Sequence, residues 1–521
     1  MKIRSELLLF TALLPLAAPA ADSSARAAPN IVYILADDLG YGDVQCFNPQ
    51  RGKIPTPHMD RLAREGMMLT DAHSGSAVCT PTRYGVLTGR YAWRTRLQEG
   101  VLWGLSAPLI TPDRFTVGKL LQQQGYETAG FGKWHLGMDF PGGPTDAPEV
   151  DDVKIEYSKP IGNGPVTRGF DTFFGISASL DMAPYVYVEN DRAHTPATMI
   201  QHEWFRSGIS AADFHAINVL SELTQRVTDY IGQRPGAGRG GAKPFFIYCA
   251  LTSPHTPIVP EPAWKGRSGL GEYGDFVMQT DAAVGAILAA LDRAGLAQNT
   301  LVIVTSDNGC SANPAKAAEL EKLGHYPSAQ FHGYKSDIWE GGHRVPFIAR
   351  WPGHIRAEST SDRTTCLTDL LATAAELTGA KVPANAGEDS VSLLPTLLGR
   401  SQAPRPAVIH HSISGHFAIR EGRWKLILAA GSAGWSSPTE VEAAKRKLPE
   451  IQLYDMDADP GEQHNIAAGN PAVVARLDAL LTKYVAEGRS TPGAITVNDV
   501  PITIRKTLQS GVPIAAPKKV D

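Results

Sequence analysis

Three unbroken runs of β-branched and aromatic residues, each followed by polar side chains, constrain the fold of this 521-residue chain most strongly. Runs without polar alternation are typical of strands buried on both faces, which occur mainly in parallel sheets. The runs and their polar clusters are IVYIL before Asp37-Asp38, FFIYCAL before Ser253-Pro254-His255, and LVIV before Asp307-Asn308-Gly309. We therefore expect buried strands whose carboxyl ends carry polar groups.

Helical patterns separate these runs. Apolar residues recur with a spacing close to 3.6 over 277–291, and shorter helices are predicted at 116–124 and 364–378, each followed by a glycine. Strands alternating with helices predict an α/β fold with a large, mainly parallel central sheet flanked by helices. Because binding groups gather beyond the carboxyl ends of such strands, the polar clusters are treated as one site.

Beyond residue 400 the pattern changes to short strand-like runs and one helix. The predicted strands lie at 407–411, 417–420, 423–428 and 451–456, and the helix lies at about 471–487. They indicate a smaller C-terminal α+β subdomain at 400–500, after a main α/β domain at 28–399 and before a tail at 501–521. The glycine-rich segment 234–244 is predicted to be a flexible loop.

The N-terminus has the features of a targeting signal. Lys2 and Arg4 precede an apolar run at 7–16 and the small residues Ala18-Pro19-Ala20. This order is typical of a secretory signal peptide, here 1–20. A membrane anchor is the alternative, but the run is short for a span of about 20 residues. No later stretch reads as apolar enough to cross a bilayer, so we expect a periplasmic or extracellular protein.

Charge and cysteine content argue against several other classes. The net charge is −4, which gives no general reason to bind nucleic acid or an anionic membrane surface. Five cysteines are too few for a disulfide scaffold, and their spacing fits no zinc site. Besides Cys79 these are Cys46, Cys249, Cys310 and Cys366, whose pairing the sequence leaves open.

The segment Cys79-Thr80-Pro81-Thr82-Arg83 has the local features of an anion site. Thr80 suits a helix cap and Pro81 a first helical turn, which would place Cys79 at the positive end of the helix. Arg83 lies one turn further, so its guanidinium can reach the same place, and the combination binds anions well. A buried cysteine before an ordinary capped helix is the alternative.

CTPTR also resembles the C-x-P-x-R core of the sulfatase signature, which LTGR at 87–90 extends, and the resemblance runs from about residue 30 to residue 488. It implies an alkaline-phosphatase-like fold with 28–399 as the catalytic domain. The implied reaction is hydrolysis of a sulfate monoester to an alcohol and inorganic sulfate. A formylglycine-generating or equivalent maturation enzyme would oxidise Cys79 to Cα-formylglycine, an aldehyde that hydrates to a gem-diol.

Asp37, Asp38, Asp307 and Asn308 supply four hard oxygen donors at two strand ends. Such donors suit Ca²⁺ or Mg²⁺ rather than zinc, although each pair alone also fits an ordinary cap or turn. The resemblance implies that they are metal ligands, with the oxygen of the converted Cys79 completing the shell. It favours Ca²⁺, while the residues alone leave Mg²⁺ open.

Gly132-Lys133-Trp134-His135 follows a strand-like segment. In an extended chain residues two apart share a face, so Lys133 and His135 are expected to point together. The resemblance implies that both belong to the sulfate site, together with His255 and Lys335. Glu340 and Arg344, which follow Lys335 in HGYKSDIWEGGHRVP, are interpreted as structural.

Hydrolysis of a sulfate monoester requires neutralised charge and an in-line nucleophile. The resemblance implies that one hydroxyl of the hydrated residue 79 attacks sulfur, with Asp307 assisting its deprotonation. His255 or Lys335 would protonate the leaving alcohol. His135 would then take the proton of the second hydroxyl, so that sulfate leaves and the aldehyde is restored.

Two other functions remain as alternatives. A phosphatase, phosphonate hydrolase or phosphodiesterase of the same architecture typically uses serine or threonine with two zinc ions, whereas this chain has Cys79 and lacks the histidine-rich set. A secreted protein that binds sulfated glycans without turnover is the second alternative. It is disfavoured because every motif position is intact.

The substrate is less constrained by the sequence. The segment SLDMAPY at 179–185 resembles one in arylsulfatases and in glycan sulfatases such as the N-acetylgalactosamine-6-sulfatase group, which makes Asp181 and Tyr185 candidate pocket-wall residues. Trp103, Trp204 and Trp264 are further aromatic candidates. An aryl sulfate and a sulfated carbohydrate both remain open.

Overall fold

The structure is a computed structural model, and it describes residues 28–147, 150, 154–202, 206–234 and 243–506. The predicted signal peptide at 1–20, Trp204, most of the 234–244 loop and the tail beyond residue 506 lie outside these residues. The expectations made for them stay predictions.

The strands are numbered in the order in which the chain forms them. They are β1 (Asn30–Ala36), β2 (Met67–Leu69), β3 (Ala72–His73), β4 (Glu127–Lys133), β5 (Thr172–Ile176), β6 (Val188–Glu189), β7 (Arg192–Ala193), β8 (Met199–Gln201), β9 (Gly208–Ser210), β10 (Phe245–Ala250), β11 (Thr300–Ser306), β12 (Phe347–Arg350), β13 (Ser359–Ser361), β14 (Thr365–Cys366), β15 (Val408–His411), β16 (Phe417–Glu421), β17 (Trp424–Ile427) and β18 (Gln452–Asp455).

The α-helices are interspersed among these strands. They are α1 (Pro57–Arg64), α2 (Cys79–Thr88), α3 (Val117–Gln123), α4 (Ala216–Gly232), α5 (Gly271–Arg293), α6 (Ala312–Ala315), α7 (Ala317–Lys322), α8 (Glu340–His343), α9 (Leu370–Thr378), α10 (Leu394–Leu397), α11 (Glu440–Lys445) and α12 (Pro471–Ala486).

Ten of the described strands form one sheet in the order β13-β2-β12-β11-β1-β10-β4-β5-β6-β7. Its centre is parallel, since β1 pairs in parallel with β10 and β11, and β4 with β10 and β5. The three apolar runs are β1, β10 and β11, and every residue in them is buried. The predicted large, mostly parallel sheet is therefore confirmed, with antiparallel strands only toward its two sides.

A second, antiparallel sheet of β15, β16, β17 and β18 follows residue 400, as the short strand-like runs predicted. Helix α12 packs against it through Leu477 and Leu481, which are fully buried. We call the part of the chain from β15 to α12, residues 408–486, the C-terminal sheet region. The exact limits of the predicted domains stay predictions.

Two sequence-based expectations were wrong in detail. The helix expected at 364–378 begins only at Leu370, because residues 365–366 form β14 and pair with β3. Helix α5 does reach the length and composition of a membrane span, contrary to our expectation for later stretches. However, 78% of its apolar window is buried inside the protein, as in the core helix of a globular domain.

Replacing Gly132 by alanine is expected to destabilise the protein by about 3 kcal/mol or more. Gly132 has a φ of +99°, and an added Cβ would lie 1.8 Å from the carbonyl oxygen of Ala250 on the adjacent strand. Gly125→Ala is the matched control, because its φ is +82° but nothing lies within 4 Å of the added Cβ. We expect about 1–2 kcal/mol there. Equal losses in urea unfolding would contradict the steric explanation.

Candidate active site

The four predicted metal ligands meet at the carboxyl edge of the sheet. Because Ala36 of β1 is in register with Ser306 of β11, the residues that follow them lie side by side. The backbone N–H of Asp38 donates to Asp307 Oδ1 at 3.2 Å, and Asn308 Nδ2 donates to Asp38 Oδ1 at 2.7 Å. All four side chains are buried. Parallel strand order therefore brings together residues that lie far apart along the chain.

Cys79 is the first residue of α2, and Thr80 is not its cap, contrary to expectation. Val78 occupies the cap position, while Thr80 Oγ1 accepts a hydrogen bond from the backbone N–H of Leu102 at 3.1 Å. Cys79 still faces the strand ends from the first helical turn. Its Sγ and one ligand atom each of Asp37, Asp38 and His255 lie within 4.8 Å of one another.

Arg83 is buried below the carboxylates. Its Nε and Nη2 donate to Asp307 Oδ2 at 3.0 and 2.6 Å, and its Nη1 donates to the carbonyl oxygen of Lys133 at 3.1 Å. Burial opposes the charge, but Asp307 and Asp37 outweigh it and raise the pKa of Arg83 above its usual value. Arg83 therefore fixes the carboxylate of Asp307, a predicted metal ligand, and the backbone of Lys133, contacts that its helical spacing alone did not indicate.

Lys133 ends β4, and its Nζ donates to both oxygens of Asp37 at 3.0 and 2.8 Å. Burial acts to raise the pKa of Asp37, but Lys133, His255 and Arg83 together hold it well below its usual value. A buried, ionised Asp37 next to Lys133 is suited to binding a cation and an anion side by side.

His135 reaches the site by a different route from the one predicted. The strand ends at Lys133, and His135 adopts a positive φ of 56°, so strand alternation does not place it. Its Nε2 lies 2.7 Å from the carbonyl oxygen of Leu102 and must donate there, which leaves Nδ1 as a bare lone pair. Burial and the charges of Lys133 and Arg83 lower the pKa of His135 well below its usual value, which favours the neutral ring with its lone pair on Nδ1.

His255 and Lys335 complete the cluster on the side of Asp38. His255 Nδ1 donates to the carbonyl oxygen of Thr256 at 2.7 Å, so Nε2 is the atom that faces Asp38, at 3.7 Å. Burial and Lys335 lower the pKa of His255, but Asp38 and Asp37 raise it to about 9 overall. Lys335 Nζ lies 2.7 Å from Asp38 Oδ1.

The charges in the cluster come close to balancing before any cation is added. Three buried carboxylates face three basic side chains, and the raised pKa of His255 favours a fourth positive charge. The carboxylates are Asp37, Asp38 and Asp307, and the cations are Arg83, Lys133 and Lys335. A divalent cation would add positive charge that an anionic ester neutralises. The amide oxygen of Asn308 is buried without a hydrogen-bond partner among the described residues, so these oxygens fit a hard divalent cation.

The residues beside His255 were indicated by the sequence only in part. Asp181 Oδ1 lies 4.0 Å from His255 Nδ1, and its Oδ2 pairs with Arg206, whose guanidinium lies 5.0 Å from the ring centroid of Trp103. Tyr185 is buried and its hydroxyl donates to the backbone oxygen of Arg206, and its role as a pocket-wall residue stays a prediction. Arg206 carried no sequence signal of its own.

Three other residues that the sequence singled out can be placed. The ring centroid of Trp264 lies 4.9 Å from the guanidinium carbon of Arg267, and its role near the substrate stays a prediction. Glu340 and Arg344 pair with each other at 2.8 Å in a separate buried ion-pair network with Lys425. The structural interpretation of that pair is consistent with these contacts. All five cysteines lie in the described part of the chain and are unpaired.

The sulfatase family model matches residues 29–380. The chain is 33% identical to an N-acetylgalactosamine-6-O-sulfatase of Bacteroides thetaiotaomicron over 495 residues, covering 87% of this chain and 92% of that protein. It is 34% identical to arylsulfatase A of Bos taurus over 470 residues, covering 86% of this chain and 85% of that protein.

Solved structures also resemble this chain. A structure from work on glycosaminoglycan metabolism by Bacteroides thetaiotaomicron has a TM-score of 0.76 at 32% identity, covering 87% of this chain and 98% of that one. A structure in complex with k-i-k-neocarrahexaose has a TM-score of 0.66 at 23% identity, covering 90% of this chain and 95% of that one, and shows the fold alone. The motif, the fold and these likenesses lead to one conclusion: the chain belongs to the sulfatase family, whose members hydrolyse sulfate esters.

Proposed function

We propose that this sulfatase acts on a sulfated carbohydrate, with Cys79 converted to formylglycine and Ca²⁺ held by Asp37, Asp38, Asp307 and Asn308. The observation that carries the proposal is the buried cluster in which Cys79 Sγ lies within 4.8 Å of ligand atoms from Asp37, Asp38 and His255. A carbohydrate is favoured over an aryl group because the bacterial relative, 92% of whose length this chain covers, is named for a 6-O-sulfated sugar.

Two groups would add chemistry that the twenty standard side chains lack. Formylglycine at position 79 would supply a hydrated aldehyde with two hydroxyls, one as nucleophile and one whose proton is removed when sulfate leaves. Ca²⁺ held by Asp37, Asp38, Asp307 and Asn308 would supply positive charge and favour an ionised hydroxyl. Conversion would require a maturation enzyme in the host, and the predicted signal peptide would direct the mature protein to the periplasm or outside the cell.

The protein's own side chains orient the metal ligands and transfer protons. Arg83 fixes Asp307 by two hydrogen bonds, and Lys133 holds Asp37. Both oxygens of Asp307 accept hydrogen bonds, and burial raises its pKa to about 6 although Arg83 lowers it, so this carboxylate suits both a metal ligand and the base expected from the resemblance. His135 accepts a proton at Nδ1.

Two basic side chains beside Asp38 are the candidates to protonate the leaving alcohol. His255 Nε2 and Lys335 Nζ both lie against Asp38, where they can bind the ester and donate a proton to its leaving oxygen. Cations aimed at developing charge in a buried site are among the largest contributions to catalysis.

The decisive experiment combines mass spectrometry with matched substrates. The peptide containing residue 79 from the mature protein should carry the aldehyde, and hydrolysis should be faster on N-acetylgalactosamine 6-sulfate than on the corresponding 6-phosphate. An unconverted thiol, together with binding of sulfated sugars without turnover, would instead support the non-catalytic binder. Faster hydrolysis of the phosphate ester would support the phosphatase alternative.

Removal of the metal should be visible in stability as well as in activity. Free Ca²⁺ at about 100 times its Kd is expected to stabilise the folded protein by about 2.7 kcal/mol over the chelated form. Thermal unfolding with EGTA, Ca²⁺ or Mg²⁺ measures this directly. A larger stabilisation by Mg²⁺ than by Ca²⁺ would contradict the metal assignment.

A further inference from the structure

The segment 335–337 connects the active site to the C-terminal sheet region. The backbone N–H of Lys335 donates to the carbonyl oxygen of Cys310 at 2.9 Å, in the loop that also carries Asn308. The N–H of Ser336 donates to the carbonyl oxygen of Ala77 at 2.8 Å, just before Cys79. The backbone that carries the Lys335 ammonium is therefore bonded to the loop of a metal ligand and to the loop of the nucleophile.

Ser336 has a backbone conformation that its own chemistry does not favour. Its φ is 81°, a region that a residue with a side chain adopts only when its surroundings enforce it. Those surroundings come from the C-terminal sheet region. The Ser336 carbonyl oxygen accepts from the N–H of Ile413 at 3.1 Å, and its Oγ accepts from the N–H of Trp435 at 3.0 Å.

Asp337 accepts most of the hydrogen bonds that join this segment to the C-terminal sheet region. Its carboxylate is fully buried, and Oδ1 accepts from the N–H groups of Trp435 and Ser436 at 3.0 and 3.1 Å. Oδ2 accepts from the N–H of Tyr334 at 2.9 Å and from the Ser436 hydroxyl. A Cβ at Gly434 would lie 2.4 Å from Oδ1, so the close approach requires glycine there. One carboxylate thus joins the Lys335 segment to the loop at 431–437, between β17 and α11.

We propose that Asp337 is a positioning residue for the reaction: by binding the 431–437 loop, it sets the Lys335 ammonium against Asp38 and the sulfate ester. A lysine side chain is flexible, so the placement of its ammonium depends on where its backbone is held. The inference rests on the proposed function of Lys335 in the active site. It makes the C-terminal sheet region part of the framework of the active site.

Asp337→Asn in the full-length, matured protein tests this. Both carboxylate oxygens accept N–H groups, so an amide must turn its own N–H₂ toward one of them. We expect kcat/KM to fall about tenfold or more and the inhibition constant of inorganic sulfate to rise by about the same factor. Lys335→Ala should give the same pattern with a larger change. Ser436→Ala, which removes a single donor, should shift both quantities about threefold and serves if Asp337→Asn does not fold.

Asp389→Asn is the structural control, because Asp389 is also buried and accepts from the N–H groups of Tyr91 and Ser490, far along the chain from Lys335. It should lower thermal stability and leave sulfate inhibition unchanged. If Asp337→Asn and Ser436→Ala behave like Asp389→Asn while Lys335→Ala weakens sulfate inhibition, Asp337 has no positioning role. If Lys335→Ala itself leaves sulfate inhibition unchanged, the proposed function of Lys335 fails, and the positioning role fails with it.

Discussion

Replacing Cys79 by serine is expected to lower steady-state hydrolysis of sulfate esters about 10³-fold or more, because serine keeps one attacking hydroxyl but lacks the second hydroxyl that releases sulfate. Residue 79 lies at the first turn of α2 against Asp37, Asp38 and His255, so a serine hydroxyl there can still meet the sulfur of a bound ester. It has no second hydroxyl from which His135 could take a proton. We therefore expect at most one equivalent of released alcohol per protein molecule.

Three measurements test this expectation together. A pre-steady-state assay gives the released alcohol, the intact mass shows whether a sulfuryl group is retained, and peptide mass spectrometry confirms that the introduced serine is unmodified. Cys46→Ser is the control, since Cys46 is a partly exposed free thiol, and its activity should stay within about twofold of the parent. Sustained turnover at the parent rate with an unmodified serine would refute the gem-diol mechanism.

Asp307→Asn is expected to weaken Ca²⁺ binding by at least about 10²-fold and to abolish most activity. It should also lower the free energy of unfolding by about 3 kcal/mol, because the variant removes the nearer of the two buried carboxylates beside Arg83 and leaves only Asp37, at 3.4 Å. Arg83 donates twice to Asp307 Oδ2, and both side chains are fully buried. Isothermal titration with Ca²⁺ and urea unfolding of the metal-free protein separate the two effects.

Asp389→Asn again provides a matched comparison. Arg94 donates from Nε and Nη2 to the two oxygens of Asp389 at 2.8 Å each, and both side chains are fully buried. The loss of stability should therefore be similar, while Ca²⁺ affinity and activity per folded molecule should be unchanged. A similar loss of Ca²⁺ affinity in both variants would show that the effect at Asp307 comes from general destabilisation.

Much of the fold was predictable because its signals are local. The apolar runs of β1, β10 and β11 and the glycine after α9 depend only on burial and on backbone preferences of nearby residues. The placement of Asp37 beside Asp307 followed from the parallel order of two such runs. The start of α9 was missed because residues 365–366 are drawn into pairing with β3, a contact that no local pattern reports.

The details of the candidate site were harder to predict from the sequence. Thr80 turns to Leu102 instead of capping its helix, and His135 leaves the strand with a positive φ. Arg206 joins Asp181 from a different segment. In each case the partner is far along the chain, and the hydrogen bond of a buried polar group outweighs the local preference.

The sequence by itself determined which residue types gather and at which edge of the sheet, because motif identity and strand periodicity are properties of neighbouring residues. Only the tertiary structure decided how those side chains are shared: Arg83 with Asp307, Lys133 with Asp37, and Lys335 held through Asp337 by a loop far later in the chain. Buried charges must find partners wherever the packed chain supplies them, and that choice is made in three dimensions.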